Sequence, residues 1–301
     1  MENFKIIVAY DFQELSVAAL KQAYELARFV DSGIMLVSVV NDDMLTLAGW
    51  EKMKKKIHNA MERGIAEELK EVAEKASAES GVKVDYRIET GKIYNPILRI
   101  SKENKARFIV MGRTAQQVEK GGFGSTAMHV VQRASCPVIT VSSEKCITEF
   151  KNVVLPIDLT KHTREKVFNA ISFGLHFNTT IHLVSVVMGG ISERKSRIYQ
   201  KMQKMKAIIE ENGVTCTEKL FKKSHLSIHE VILGYSEEID ADAIMIMTHQ
   251  EISTSDTYIG AIANQIIKDS TIPVISLTSA AALHKQSEKS KYWFSKLFNI
   301  K

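Results

Sequence analysis

Met111-Gly-Arg-Thr-Ala-Gln-Gln-Val-Glu-Lys-Gly-Gly-Phe-Gly-Ser-Thr126 is the stretch that decides how this chain is read. It follows the apolar run Ala106–Met111 and leads into an amphipathic segment, Ser125 to Arg133, so the order is strand, glycine-rich loop, helix. Such a loop suits an anion. The first amides of a helix lack intrahelical partners and lie at the positive end of its dipole, and glycines let the backbone approach a phosphate closely. Gly121, Gly122 and Gly124 supply that freedom, while Ser125 and Thr126 add hydroxyls. A plain tight turn uses the same glycines, so the loop by itself leaves both readings open.

Working outward, Lys5–Asp11 reads as a short buried strand that ends on a carboxylate. Ser16 is expected to cap the next helix, whose face Leu20, Ala23, Tyr24, Ala27 has the i, i+3, i+4, i+7 spacing. A strand over Gly33–Val40 follows, then a long amphipathic helix from about Gly49 to Ser80, a strand over Val82–Glu89 and a short helix over Tyr94–Lys102. Pro137–Val141 is a fifth strand. Strands alternating with helices predict an α/β domain with a doubly wound, five-stranded parallel sheet.

The second half repeats the first. Asn152–Asp158 matches Lys5–Asp11 at an offset of 147, and Val184-Ser-Val-Val187 repeats Val37-Ser-Val-Val40 at the same offset. A single change to 136 after the second strand then aligns Gly260 with Gly124 and Pro273-Val-Ile275 with Pro137-Val-Ile139. Under that alignment Thr248 falls on Gly112, Glu251 on Ala115 and Ala261 on Ser125. Ile198, Met202, Met205 and Ile209 form one helical face, with Gly213 as its stop. Duplication predicts two domains, 1–145 and 150–279, and leaves a basic aromatic tail, 280–301. The short link between the repeats carries no Pro- or Gly-rich stretch, so the two are expected to pack against each other.

A strand ending in Asp, the α/β order after it, and a fourth-strand motif of Gly, two residues, Gly, nine residues, Gly and Ser/Thr together resemble the universal stress proteins. The phrase Gly124-Ser-Thr126 through Ala134-Ser-Cys-Pro-Val-Ile-Thr-Val141 is especially similar. The resemblance covers about residues 3–142 and 150–278, so the chain looks like a tandem universal stress protein. It implies a fold of the adenine nucleotide alpha hydrolase-like type, ATP or a related adenine nucleotide as ligand, and dimer-like packing of the repeats through their last strands. It further implies that Asp11 faces the ribose, that Val39 contacts the base, that Gly112 and Arg113 open the loop, and that Gly124, Ser125 and Thr126 hold phosphates.

Two departures stand out in the first repeat. Ala115 takes the second glycine position, and eight residues rather than nine separate it from Gly124. The second repeat keeps Asp158 and Gly260 but puts Glu251 and Asp256 where phosphates need amides and cations, so it reads as a degenerate site. The expectation is a non-catalytic stress-response protein with a nucleotide-responsive first repeat. A nucleotide-free interaction scaffold and a slow ATPase are the alternatives.

Other chemistry finds less support. The loop is not GxxxxGK[ST], and neither Asp11 nor Asp158 has an identifiable catalytic partner. His225 and His229, four apart on an expected helix, could share a metal, but no third ligand is evident and ordinary surface histidines are the simpler reading. Cys136, Cys146 and Cys216 are odd in number and in no CxxC pair, which favours reduced thiols. With that, a start that runs straight into a strand and no long apolar run, a cytoplasmic location is expected. A net charge of +5 spread over helix faces argues against nucleic acid as a partner. The tail, with Trp293, Phe294, Leu297 and Phe298 on one helical face among lysines, either packs back on the protein or docks on a partner or an anionic membrane. A homo-oligomer is possible; the sequence names no protein partner.

Overall fold

The computed structural model describes residues 4–40, 51–113, 125–142, 149–158, 163–187, 196–248 and 260–277, with the side chains of 51–59, 125, 163 and 164 excepted. The chain divides into two compact units, Met1–Cys146 and Ile147–Lys301. No helix among the described residues is long and apolar enough to cross a membrane.

Unit 1 runs β1 (Lys5–Ala9), α1 (Glu14–Phe29), β2 (Gly33–Val40), α2 (Glu51–Ser80), β3 (Val84–Thr90), α3 (Tyr94–Glu103), β4 (Phe108–Gly112), α4 (Ser125–Arg133) and β5 (Val138–Val141). Its strands lie in the order β3-β2-β1-β4-β5, and every pairing is parallel. Ile6, Ile7 and Val8 of β1 and Phe108, Ile109 and Val110 of β4 are fully buried, as central strands covered on both faces must be. Burial of each such side chain contributes about 1.5–3 kcal/mol.

Unit 2 repeats the plan with β6 (Asn152–Pro156), α5 (Thr163–Phe177), β7 (Thr180–Val187), α6 (Arg197–Glu211), β8 (Cys216–Lys222), α7 (Ile228–Glu238), β9 (Ala243–Met247), α8 (Ala261–Asp269) and β10 (Val274–Leu277). The order is β8-β7-β6-β9-β10, again all parallel. The expected face of α6, Ile198, Met202, Met205 and Ile209, is buried. Gly213 ends that helix with φ +83, and its amide reaches Glu210 O while Val214 N reaches Ile209 O, a Schellman closure that a side chain would strain.

Sheet register corrects the alignment of the repeats. β1 and β2 map to β6 and β7 at 147, as the sequence suggests. Beyond them the offset takes three values rather than one. Val84 pairs with Ile34 as Cys216 pairs with Ile181, which sets β3 to β8 at 132. Ile109 pairs with Val138 as Ile244 pairs with Val274, which sets β4 to β9 at 135, while β5 to β10 keeps 136. The same ladder puts Arg113 N on Val141 O and Thr248 N on Leu277 O. Met247, not Thr248, therefore stands in the place of Gly112, and Thr248 stands in the place of Arg113. The unit 2 loop is consequently one residue longer than that of unit 1, and Met247, Gln250 and Gly260 reproduce the two- and nine-residue spacing that unit 1 has shortened.

Two local expectations also change. The N-cap of α1 is Gln13 rather than Ser16. Ser16 lies inside the first turn, where its hydroxyl donates to Gln13 O at 2.8 Å. His225 sits before α7 and not on it, because Ser227 caps that helix through a reciprocal box with Glu230.

Candidate functional site

In an open parallel sheet the carboxyl ends of the strands, beside the point where strand order reverses, form a crevice that no side chain of the sheet fills. In unit 1 that point lies between β1 and β4. The registers Ala9 to Val37 and Ala9 to Met111 bring Asp11, Val39, Gly112 and Arg113 to one edge of the sheet. Asp11 is exposed, two residues past β1, and its Oδ1 accepts from Gln13 N at 3.1 Å. Phe12 follows with φ +64, a conformation an aromatic residue adopts at a cost of about 1–3 kcal/mol, and its ring packs edge-on against Tyr10 at 5.2 Å. Tyr10 has its pKa raised, first by burial and then by the neighbouring Asp11.

Val39 is half-buried near the end of β2, and Arg113 is buried beside β5. Gly112 has a packing reason to be glycine. A Cβ there would lie 2.7 Å from Leu15 Cβ and 2.8 Å from its carbonyl, so the start of α1 rests directly on β4. Thr126 is half-buried in the first turn of α4. Ser125 opens that helix, although its side chain, like Gly124, Ala115, Gly121 and Gly122, lies outside the described residues.

Unit 2 treats the same edge differently. Asp158, at the position of Asp11, is held by Lys166, whose Nζ lies 2.9 Å from Oδ1. At an offset of 147 Lys166 occupies the place of Ala19, which is fully buried, and the lysine side chain is itself only 7% exposed. Lys201 Nζ donates to Asp158 O at 2.8 Å. Burial lowers the Lys201 pKa; Asp158 opposes that shift and Lys166 adds to it. Beside this cluster opens a cavity of about 590 Å³, lined at the carboxyl ends of β6, β7 and β9 and by the starts of α6, α7 and α8. Sequence reading missed it, although a lysine in the place of Ala19 is visible in the repeat. The Glu251 and Asp256 expectations, and the tail 280–301, lie outside the described residues.

The expected histidine pair does not share one helix, since His225 precedes the cap of α7. His229 Nδ1 lies 3.0 Å from Ser227 Oγ and its Nε2 lies 3.6 Å from Asp269 Oδ2. No cluster of three metal-binding side chains occurs among the described residues. Cys136 and Cys216 are buried free thiols, and burial pushes both up to about 12, far from a reactive thiolate. Cys146 lies outside the described residues.

Comparison with known proteins points one way. The profile described as the universal stress protein family matches residues 2–142 and 149–277. A universal stress protein of Methanocaldococcus jannaschii is 30% identical over 142 residues, which is 47% of this chain and 83% of that one. The crystal structure of a universal stress protein from Archaeoglobus fulgidus superposes with a TM-score of 0.72 at 21% identity, covering 91% of this chain and 96% of that chain. Another universal stress protein from Archaeoglobus fulgidus, solved in complex with dAMP, is 19% identical and covers 42% of this chain and 97% of that one, with a TM-score of 0.34.

Proposed function

The chain belongs to the universal stress protein family, with two copies of the domain, and we propose that its first unit binds an adenine nucleotide as a regulatory ligand that it does not turn over. One observation carries the reading. Asp11, Val39, Gly112 and Arg113 share the carboxyl edge of the sheet at the switch between β1 and β4, and α4 starts from the glycine-rich loop that leaves that same edge. An exposed carboxylate there suits ribose hydroxyls, Val39 suits a base, and the first amides of α4 with Thr126 suit phosphate. Gly112 contributes by keeping α1 against β4, which fixes Asp11 relative to the end of β4.

The second unit is read as a site that has lost the nucleotide. Its aspartate is neutralised by Lys166, and Met247 replaces the glycine against which α1 rests in unit 1. Bound nucleotide would then act by shifting conformation or partner affinity, as far as its affinity differs between two states. The protein is expected to work in the cytoplasm.

Calorimetric titration of ATP into the whole chain tests this, with nucleotide extraction from freshly purified protein alongside. Saturable heat that is lost in Asp11→Ala and Gly124→Asp, with no phosphate release, is the expected result. Absence of ATP-dependent heat at millimolar concentration would leave a nucleotide-free scaffold, and phosphate release abolished by Asp11→Ala would make the protein an ATPase.

A further inference from the structure

The cavity of unit 2 occupies the place where a nucleotide would lie, but its chemistry is that of another ligand. Of its 17 described lining residues 12 are apolar, among them Ile198 of α6, Ile232 of α7, Met247 of β9 and Ile262 of α8. None of these described residues is aromatic, and the wall is made mainly of branched aliphatic side chains and Met247. Its volume of about 590 Å³ lies within the 300–1,000 Å³ or so typical of small-molecule sites.

One sheet position at this edge differs between the two units. In unit 1, Gly112 lets the first turn of α1 close onto β4. In unit 2 the same sheet position carries Met247, which lines the cavity.

Among the described residues that line the cavity, the charged side chains are Lys166, Arg197 and Asp158. Lys166 Nζ meets Asp158 Oδ1, and Lys201 donates to the backbone carbonyl Asp158 O. The remaining polar groups there serve the fold. Ser185 Oγ donates to Ile157 O at 2.6 Å, and Ser196 caps α6 by accepting from Tyr199 N. The N-terminus of α6, a helix of 15 residues, adds its dipole on the same side.

We propose that the second unit binds a single-chain aliphatic carboxylate of the medium-chain fatty acid class, with the chain among Ile198, Ile232, Met247 and Ile262 and the head group towards Arg197 and Lys166. The chain gains from leaving water, and the head meets a field of opposite sign. This site is independent of nucleotide binding by unit 1.

Calorimetry on the whole chain with dodecanoate, kept below its micelle concentration, tests the site. Saturable binding with a negative heat-capacity change is expected, as for burial of apolar surface. Ile262 and Arg197 are both exposed, so Ile262→Glu and Arg197→Glu leave the core untouched. Ile262→Glu should weaken dodecanoate by about tenfold or more, because a carboxylate then faces the chain. Arg197→Glu should weaken dodecanoate but leave dodecanol, which lacks the charge, unchanged. Asp11→Ala should leave dodecanoate unaffected, which separates this site from that of unit 1. No saturable binding, binding indifferent to both variants, or ATP heat that disappears with Ile262→Glu would each overturn the assignment.

Discussion

The carboxyl edge of unit 1 and that of unit 2 descend from one plan, yet they are built to opposite electrostatic ends. Asp11 presents an exposed carboxylate, whereas Asp158 is spent on a buried lysine. Gly112 brings α1 down on β4, whereas Met247 stands in the same place beside a cavity. A duplicated fold thus keeps its sheet while two substitutions, Ala to Lys on the first helix and Gly to Met at the fourth strand, change what the edge can hold. The opposite end of the sheet shows a similar exchange. Unit 1 crosses β1 to β3 with the ion pair Lys5–Asp85 at 2.6 Å. Unit 2 replaces it with a neutral chain, Asn152 Oδ1 to His182 Nε2 at 3.1 Å and His182 Nδ1 to Thr217 Oγ1 at 2.8 Å.

The largest effect should come from making unit 1 resemble unit 2 at β4. Gly112→Leu would drive a side chain into the backbone of Leu15, and a loss of about 3 kcal/mol in urea unfolding is expected. A loss under about 0.5 kcal/mol, the scale of an ordinary surface change, would show that α1 is free to lift.

The aspartates should differ next. Asp158→Asn leaves Lys166 buried beside a neutral amide and should cost about 2 kcal/mol, below the full value for a buried pair because Asp158 is 40% exposed. Asp11→Asn, at an exposed turn, should stay within about 0.5 kcal/mol. Equal costs in denaturant titrations would remove the electrostatic distinction between the repeats.

A pH dependence should separate the other ends of the sheets. Burial lowers the pKa of His182, so the folded state holds the neutral ring. As pH falls below the ordinary imidazole value of 6.5, the unfolded chain takes up the proton first, and stability is lost until the folded pKa is passed. His182→Met, which installs the residue that unit 1 carries at Met35, should flatten stability between pH 7.5 and about 5.5, whatever its effect at pH 7.5. An unchanged slope would place the titration elsewhere.

The smallest difference lies in the turns after α3 and α7. Lys105 has φ +45 and Asp240 has φ +46. Aspartate tolerates this left-handed conformation better than lysine, so Lys105→Gly should raise stability by roughly 0.5–1 kcal/mol and Asp240→Gly by less. Thermal unfolding of the two variants side by side gives the answer.

Much of this was legible in the chain. The strands around Ile6, Ile109, Val154 and Ile244 are continuous apolar runs, and α6 shows its face as Ile198, Met202, Met205 and Ile209, because period and burial are written in neighbouring residues. The family resemblance likewise rested on local phrases, and the family profile matches both halves. Helix entry was harder: Gln13 rather than Ser16 caps α1, since the turn is set by Asp11 Oδ1 and the strained Phe12.

The sequence by itself determined that a parallel α/β unit occurs twice and that an aspartate follows the first strand of each, because hydrophobic period and repeated spacing are properties of the chain alone. Only the tertiary structure decided that Met247 stands where Gly112 does, since residues are matched by hydrogen-bonded register with β5 and β10 and not by counting. It also decided that Lys166 takes Asp158 and that seven separate elements line a cavity. Charge and shape at that edge arise from side chains far apart in the chain, and packing alone brings them within reach.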